Sequence, residues 1–258
     1  MLIDTHCHLD DPSYQEDFDE LIARQQQFGV ERIIVPGVNV SSLETVPQTC
    51  DRYPDYLFPG IGLHPEDVHD DYQEVLDTLH AALPTRHWTA IGEIGLDYHF
   101  DKTFQQEQVD AFWQQLRWAR TADIPVIVHS RDATADCLTV LCEVMAEPNA
   151  HPLRGVMHCF SGSREVAEQI VAMGLYLGIG GVITFKNSKV AEHIASIGLD
   201  HIVLETDGPY LSPTPLRGQR NESRYIQYVA QALAATYRCD IEEVYRRTTD
   251  NAKRLFFS

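Results

Sequence analysis

The sequence predicts an α/β chain folded as a (β/α)8 TIM barrel, with one domain over residues 1–258. Three observations carry this expectation. Short apolar segments alternate with stretches of helical spacing, the pattern of a parallel sheet whose crossovers are helices. Eight such units fit the 258 residues, close to the ~250 of a closed barrel. No composition shift, low-complexity tract or linker divides the chain, and the glycine-rich phosphate loop expected after the first strand of an open doubly wound sheet is absent.

The first strand ends in Asp4-Thr5-His6-Cys7-His8, with apolar Leu2, Ile3 and Leu9 around it and Pro12 beyond. Phe18, Leu21, Ile22, Gln25 and Phe28 then follow helical spacing, and Gly29 ends the helix before Arg32-Ile33-Ile34-Val35. A helix through Ser41 to Tyr53 leads to a strand at Leu57–Pro65, and one through Tyr72 to Leu83 leads to Thr89–Asp97. The long helix from Phe104 to Thr121 carries Val109, Phe112, Trp113, Leu116 and Ala119 on one stripe. Strand five is Pro125–Ser130, and a helix over residues 133–145 precedes Gly155–Phe160. The helix from Arg164 to Met173 stops at Gly174, strand seven is Tyr176–Phe185, and a further helix leads to strand eight, Ile202–Asp207. Tyr225 to Tyr237 and a segment ending at Leu255-Phe256 close the series.

With 44% hydrophobic residues the chain can bury a sizeable core. Acidic Asp4, Asp10 and Asp11 stand where a signal peptide would be basic. The uncharged run 170–185 is shorter than the ~20 residues of a membrane span and holds four glycines. The expectation is a soluble, cytoplasmic protein without a membrane partner. Its six cysteines lack Cys-x-x-Cys spacing and read as reduced, mostly buried thiols. A formal charge of −18 argues against a general nucleic-acid surface, since nonspecific phosphate binding uses Lys and Arg. A polyanionic substrate must then be held locally, by metal ions and a few basic groups.

Alternate strand residues share a face, so Asp4, His6 and His8 fall on one side of the first strand and Thr5 and Cys7 on the other. Two imidazoles placed this way can chelate one ion. In a barrel, chemistry collects at the C-terminal strand ends, where the sequence sets His6, His8, His64, Glu93, His129, His158 and Asp207. Any one of these could be a satisfied core residue, but so many at one rim point to metal. Four imidazoles and two carboxylates exceed one tetrahedral shell, whereas a carboxylate bridging two ions ~4 Å apart completes both. The expected sets are His6, His8, Glu93 and Asp207 for one ion, and Glu93, His129 and His158 for the other. The two divalent ions are drawn from zinc, manganese or magnesium. Nitrogen-rich sites suit zinc, manganese or iron better than magnesium or calcium.

The motifs Ile3–Asp10, Gly62-Leu63-His64-Pro65, Gly92–Tyr98, His129-Ser130-Arg131, His158–Ser163, Glu205–Leu211 and Asn251–Phe256 together resemble the TatD family of metal-dependent hydrolases, from end to end and in order. The resemblance implies a metal-bound barrel of the amidohydrolase superfamily, and members of the family act as DNases. It carries the family's ligands onto His6, His8, Glu93, His129, His158 and Asp207. Two positions depart from the commonest pattern: Ser223 stands where proline is usual, and Gly208 where serine or alanine is frequent. Both lie in loops expected to face substrate.

The leading expectation is hydrolysis of a phosphodiester in DNA by a metal-activated water. Asp207 would take the water's proton as general base and return it as acid. Glu93 would bridge the ions, and Glu205, of the same inward parity, would be a partner behind the ligands, a proton acceptor or a salt-bridged barrel residue. His64, Arg131, Lys186 and Arg220 are candidates to grip phosphate and sugar, with Tyr98 and Phe160 offering faces to bases. So few basic groups on an acidic body favour exonuclease-like trimming of single-stranded or frayed ends, for which a 3′–5′ direction is the expectation though the charge does not give it. The rival is an amidohydrolase-type enzyme cleaving a C–N or ester bond in a small molecule. Many of those bridge their ions with a carbamylated lysine at the fourth strand, where this chain has Glu93 and no lysine before Lys102.

Overall fold

A computed structural model describes residues 1–258. Its strands are β1 (Leu2–Asp4), β2 (Val30–Val35), β3 (Leu57–Ile61), β4 (Ala90–Asp97), β5 (Val126–Arg131), β6 (Gly155–Met157), β7 (Tyr176–Ile179) and β8 (Ile202–Leu204). They follow one another in sequence order in one eight-stranded sheet, and helices alternate with them: α1 (Phe18–Phe28), α2 (Ser42–Cys50), α3 (Tyr72–Ala82), α4 (Gln105–Ala122), α5 (Thr134–Ala146), α6 (Arg164–Ala172) and α7 (Val190–Ile194), then α8 (Ile226–Tyr237) and α9 (Ile241–Phe256). The fold is the (β/α)8 barrel the sequence predicts. Strands covered on both faces read as unbroken apolar runs, and Ile33, Ile34 and Val35 of β2 are all fully buried.

By their contacts the residues form two compact units. The first comprises Met1–Val35, Thr49–Phe58 and Cys159–Ser258. Within it β7 pairs with β8 and β1 with β2, all parallel. Thr5 N donates to Leu204 O at 3.0 Å, which ties the end of β1 to the end of β8. Asn251 of α9 supports the start of β8, its amide donating to Leu199 O at 2.7 Å and Ile202 O at 2.8 Å. The second unit comprises Pro36–Gln48 and Pro59–His158, with β3, β4, β5 and β6 paired in turn. In α4, Phe112, Leu116 and Ala119 are buried as the periodicity requires. Its buried Gln115 also accepts from Leu63 N at 2.7 Å and donates to Leu63 O at 3.2 Å, fixing the backbone just before His64.

Five strands, β1, β3, β6, β7 and β8, stop short of their expected ends, three of them for a visible local reason. β1 stops at Asp4 and β8 at Leu204, because the Asp4 carboxylate accepts from Thr206 N at 3.0 Å and from His6 N at 3.2 Å and so takes the place of ladder partners. β7 stops at Ile179, and Gly181–Thr184 coil into a 3-10 turn in which Thr184 Oγ1 donates to Gly181 O at 2.7 Å. At Gly95 the chains approach so closely that an added Cβ would collide with His129 O, on a backbone with φ of +146°; only glycine permits this pairing of β4 with β5.

Candidate metal centre

In the first unit, His6 and His8 lie past the end of β1, and their side chains converge as the alternation of the motif requires. His6 is fully buried, and its Nε2 lies 3.1 Å from His8 Nε2. Asp207 Oδ1 lies 3.6 Å from each of these nitrogens. Asp207 sits in the left-handed region, with φ of +59°, which turns its side chain back toward the two rings; aspartate tolerates that conformation better than most residues. Donor atoms ~2.1 Å from a tetrahedral ion are ~3.4 Å apart, so two neutral imidazoles and a carboxylate spaced at 3.1, 3.6 and 3.6 Å form a donor set that fits a divalent cation. Cys7 points away, with Sγ 3.7 Å from Gly208 O and 4.0 Å from the Tyr14 hydroxyl.

In the second unit, Glu93 Oε1 gathers three imidazoles. His129 Nδ1 is at 2.7 Å, His64 Nε2 at 3.5 Å and His158 Nε2 at 3.7 Å. Glu93 and His158 are buried. The other nitrogen of His129, Nε2, is 2.8 Å from Asp97 Oδ2. Burial on its own would lower the His129 pKa, but hydrogen bonds with Asp97 and Glu93 outweigh it and raise the value to about 9. His64 differs from the others in its hydrogen bonding: its Nδ1 accepts from Glu66 N at 3.1 Å, so in the neutral ring the proton is on Nε2. That nitrogen, 3.5 Å from Glu93 Oε1, then has no lone pair for a metal.

The remaining sequence-predicted residues divide. Arg131 and Lys186 are exposed, and the Arg131 guanidinium lies 4.5 Å from the centre of the Phe100 ring. Arg220 is committed to structure: it donates to both oxygens of Asp17, at 2.7 and 2.8 Å, and to Ser13 O at 2.7 Å. Tyr98 and Phe160, expected as stacking faces, are buried at 9% and 4% exposure. The Tyr98 hydroxyl donates to Asp136 at 3.0 Å. Their place at strand ends was legible from the sequence; the side to which the rings turn was not. Glu205 is buried, and its Oε1 accepts from Cys159 N at 2.6 Å, which fixes the backbone next to His158.

Asp97 and Tyr14 are the contributors that sequence reasoning missed, and Asp4 takes a part it did not foresee. Asp97 shares strand parity with Glu93, a signal that could have found it. Its backbone N donates to Gln108 Oε1 of α4 at 3.0 Å, which sets its position. Asp4 does not join His6 and His8 as their shared parity suggested. It is fully buried, burial pushes its pKa up to about 7, and it binds the Thr206 hydroxyl at 2.5 Å and Thr206 N at 3.0 Å. The Gly208 departure has a packing reason: an added Cβ would lie 2.5 Å from the Tyr14 hydroxyl and 2.9 Å from Cys7 Sγ.

Comparison with known proteins agrees with this chemistry. The family described as TatD related DNase matches residues 3–257. The metal-dependent hydrolase YabD of Bacillus subtilis is 40% identical over 257 residues, covering 99% of each chain. The 3′-5′ ssDNA/RNA exonuclease TatD of Dickeya dadantii is 31% identical over 261 residues, covering 99% of this chain and 97% of that one. The crystal structure of YjjV, a TatD homologue from Escherichia coli K12, superposes with a TM-score of 0.91 at 33% identity, covering 100% of this chain and 98% of that one. With the whole chain matched and both ligand clusters in place, the protein belongs to the TatD family of metal-dependent hydrolases.

Proposed function

We propose that the protein is a deoxyribonuclease that hydrolyses phosphodiester bonds at single-stranded or frayed DNA ends, trimming in the 3′–5′ direction with two divalent ions. The observation that carries this reading is the spacing of His6, His8 and Asp207 at ligand distances from one another, with His129 and His158 gathered on Glu93 Oε1. We assign His6, His8 and Asp207 to one ion and Glu93, His129 and His158 to the other. The relative from Dickeya dadantii, matched along 97% of its length, supports a nucleic-acid substrate. Free thiols at Cys7, Cys137, Cys142 and Cys239 suit a reducing cytoplasm.

Divalent ions held by these six residues would supply an acidified water and neutralise charge on the phosphate. The chain's own groups do the rest. Asp97 holds the proton of His129 on Nε2, which leaves Nδ1 as the donor atom. His64 presents Nε2–H to a phosphate oxygen, since Glu66 N occupies its Nδ1. Asp207 takes the proton of the attacking water and returns it to the leaving oxygen. Glu205 positions His158 through the neighbouring Cys159 amide. Arg131 and Lys186, exposed, supply cationic contacts to the strand.

The deciding experiment adds manganese, magnesium or zinc to metal-depleted protein with end-labelled single-stranded DNA and reads product length. Stepwise shortening from the 3′ end is expected, lost in His129→Ala. Equal turnover of closed circles and linear strands would refute end-trimming. Turnover of lactones, dipeptides or cyclic amides with none of DNA would refute the nuclease reading.

A further inference from the structure

Beside the Glu93 cluster, and sharing Asp97 with it, lies a cavity of about 240 Å³. Pro65, Val68 and Phe104 supply apolar wall, and the His69 ring meets Phe104 edge-on at 5.7 Å between centroids. In the loop between β4 and α4, Phe100 lines the cavity and is 74% exposed, so its ring is open to a partner from solvent. The Arg131 guanidinium lies over that ring, 4.5 Å from its centre, within the range of a cation–π contact. Arg131 follows His129 by two residues on β5, and Pro65 follows His64 directly, so both sides of the cavity are anchored on the cluster.

We propose that this cavity seats the terminal nucleobase of a single strand, with Phe100 as its stacking face and Arg131 meeting the phosphate of the same nucleotide; the proposal rests on the nuclease reading above. The lining decides which part of a nucleotide enters. Glu66, Asp97 and Asp101 make the lining acidic, which repels a phosphate and favours entry of the neutral base. The cation stands outside, on Phe100, where a backbone phosphate emerging from the cavity would pass. An exposed aromatic flanked by arginine is the arrangement that holds single strands without reading their sequence, since every base has a π face. Phe100 thereby takes the part that the buried Tyr98 and Phe160 cannot.

The test compares two substrates on full-length protein loaded with the divalent ion that best supports cleavage. One oligonucleotide ends in a normal nucleotide and the other in an abasic residue with the same phosphate. The wild type should favour the base-terminated strand in kcat/KM, and Phe100→Ala should lower that preference by about 5- to 150-fold, the range for one stacked base. Phe28→Ala, at an exposed apolar side chain of the first unit, should leave the preference unchanged. A strand ending in 2-aminopurine adds a reading independent of turnover: its fluorescence should be quenched on binding to the wild type and much less on binding to Phe100→Ala. If the wild type trims DNA but Phe100→Ala keeps both the preference and the quenching, the base seat is wrong and the nuclease reading stands. If the wild type cleaves no DNA at all, both fall together.

Discussion

Replacing Gly208 with alanine is expected to damage the protein far more than its size suggests. The new methyl would lie 2.5 Å from the Tyr14 hydroxyl and 2.9 Å from Cys7 Sγ, distances at which something must move. Neither neighbour has room, because Tyr14 and Cys7 are both fully buried and Tyr14 is pinned by its 2.6 Å bond to Asn221 O. Overpacking of this kind costs about 1–3 kcal/mol, a fall in melting temperature of about 2–12 °C for a chain of this length. The displacement also reaches the site, since His8 N donates to Gly208 O at 2.8 Å and Asp207 is the preceding residue. Metal affinity of the His6, His8 and Asp207 set should therefore fall as well. Tyr14→Phe by itself loses one buried hydrogen bond, about 1 kcal/mol. Combined with Gly208→Ala it removes the nearer clash, so the double variant should be more stable than the sum of the single losses predicts, by about 1 kcal/mol. Urea or thermal unfolding of the four metal-free proteins measures the cycle. Simple additivity, or a Gly208→Ala protein as stable as the wild type, would refute the packing explanation.

Asp97→Asn should weaken metal binding about 10- to 100-fold, because the amide no longer holds His129 as the carboxylate does; competition with a fluorescent chelator reads this, and unchanged affinity would remove Asp97 from the site. In metal-free protein the His129 pKa is raised to about 9 from an unfolded value of ~6.5. Its contribution to stability is therefore complete below that unfolded value and lost as pH rises through the folded one. The melting temperature of chelated protein should fall across this window, and more shallowly in His129→Gln; identical slopes would count against the assignment. Hydrogen bonds from Arg220 and Arg24 hold the Asp17 carboxyl well below the usual range. Its contribution is present above ~4 and lost as pH falls toward the depressed value. Asp17→Asn should cost about 1 kcal/mol near neutrality and reduce the loss on acidification, which urea unfolding as a function of pH will show.

How much was legible in advance is clearest at particular residues. The barrel was, because eight buried parallel strands leave eight apolar runs at regular intervals and their tips must share an edge. So was the convergence of His6 with His8, since alternation alone puts both rings on one side. Asp97 was not distinguished from the other acids of its motif, because its role depends on a hydrogen bond to His129 across the neighbouring strand. The expectation for Tyr98, Phe160 and Arg220 failed to capture where those side chains turn: residue type and position do not say whether a ring faces solvent or core, or that Asp17, far away in sequence, will take the guanidinium. Gly208 reads in sequence as a difference in substrate, but the Tyr14 hydroxyl stands where a methyl would go. Periodicity and ligand chemistry are local properties, written residue by residue, and they determined the fold class and the candidate ligands. Packing is a relation between segments distant in the chain, and it alone decided which polar groups orient the ligands, which loop must be glycine and which aromatic meets solvent.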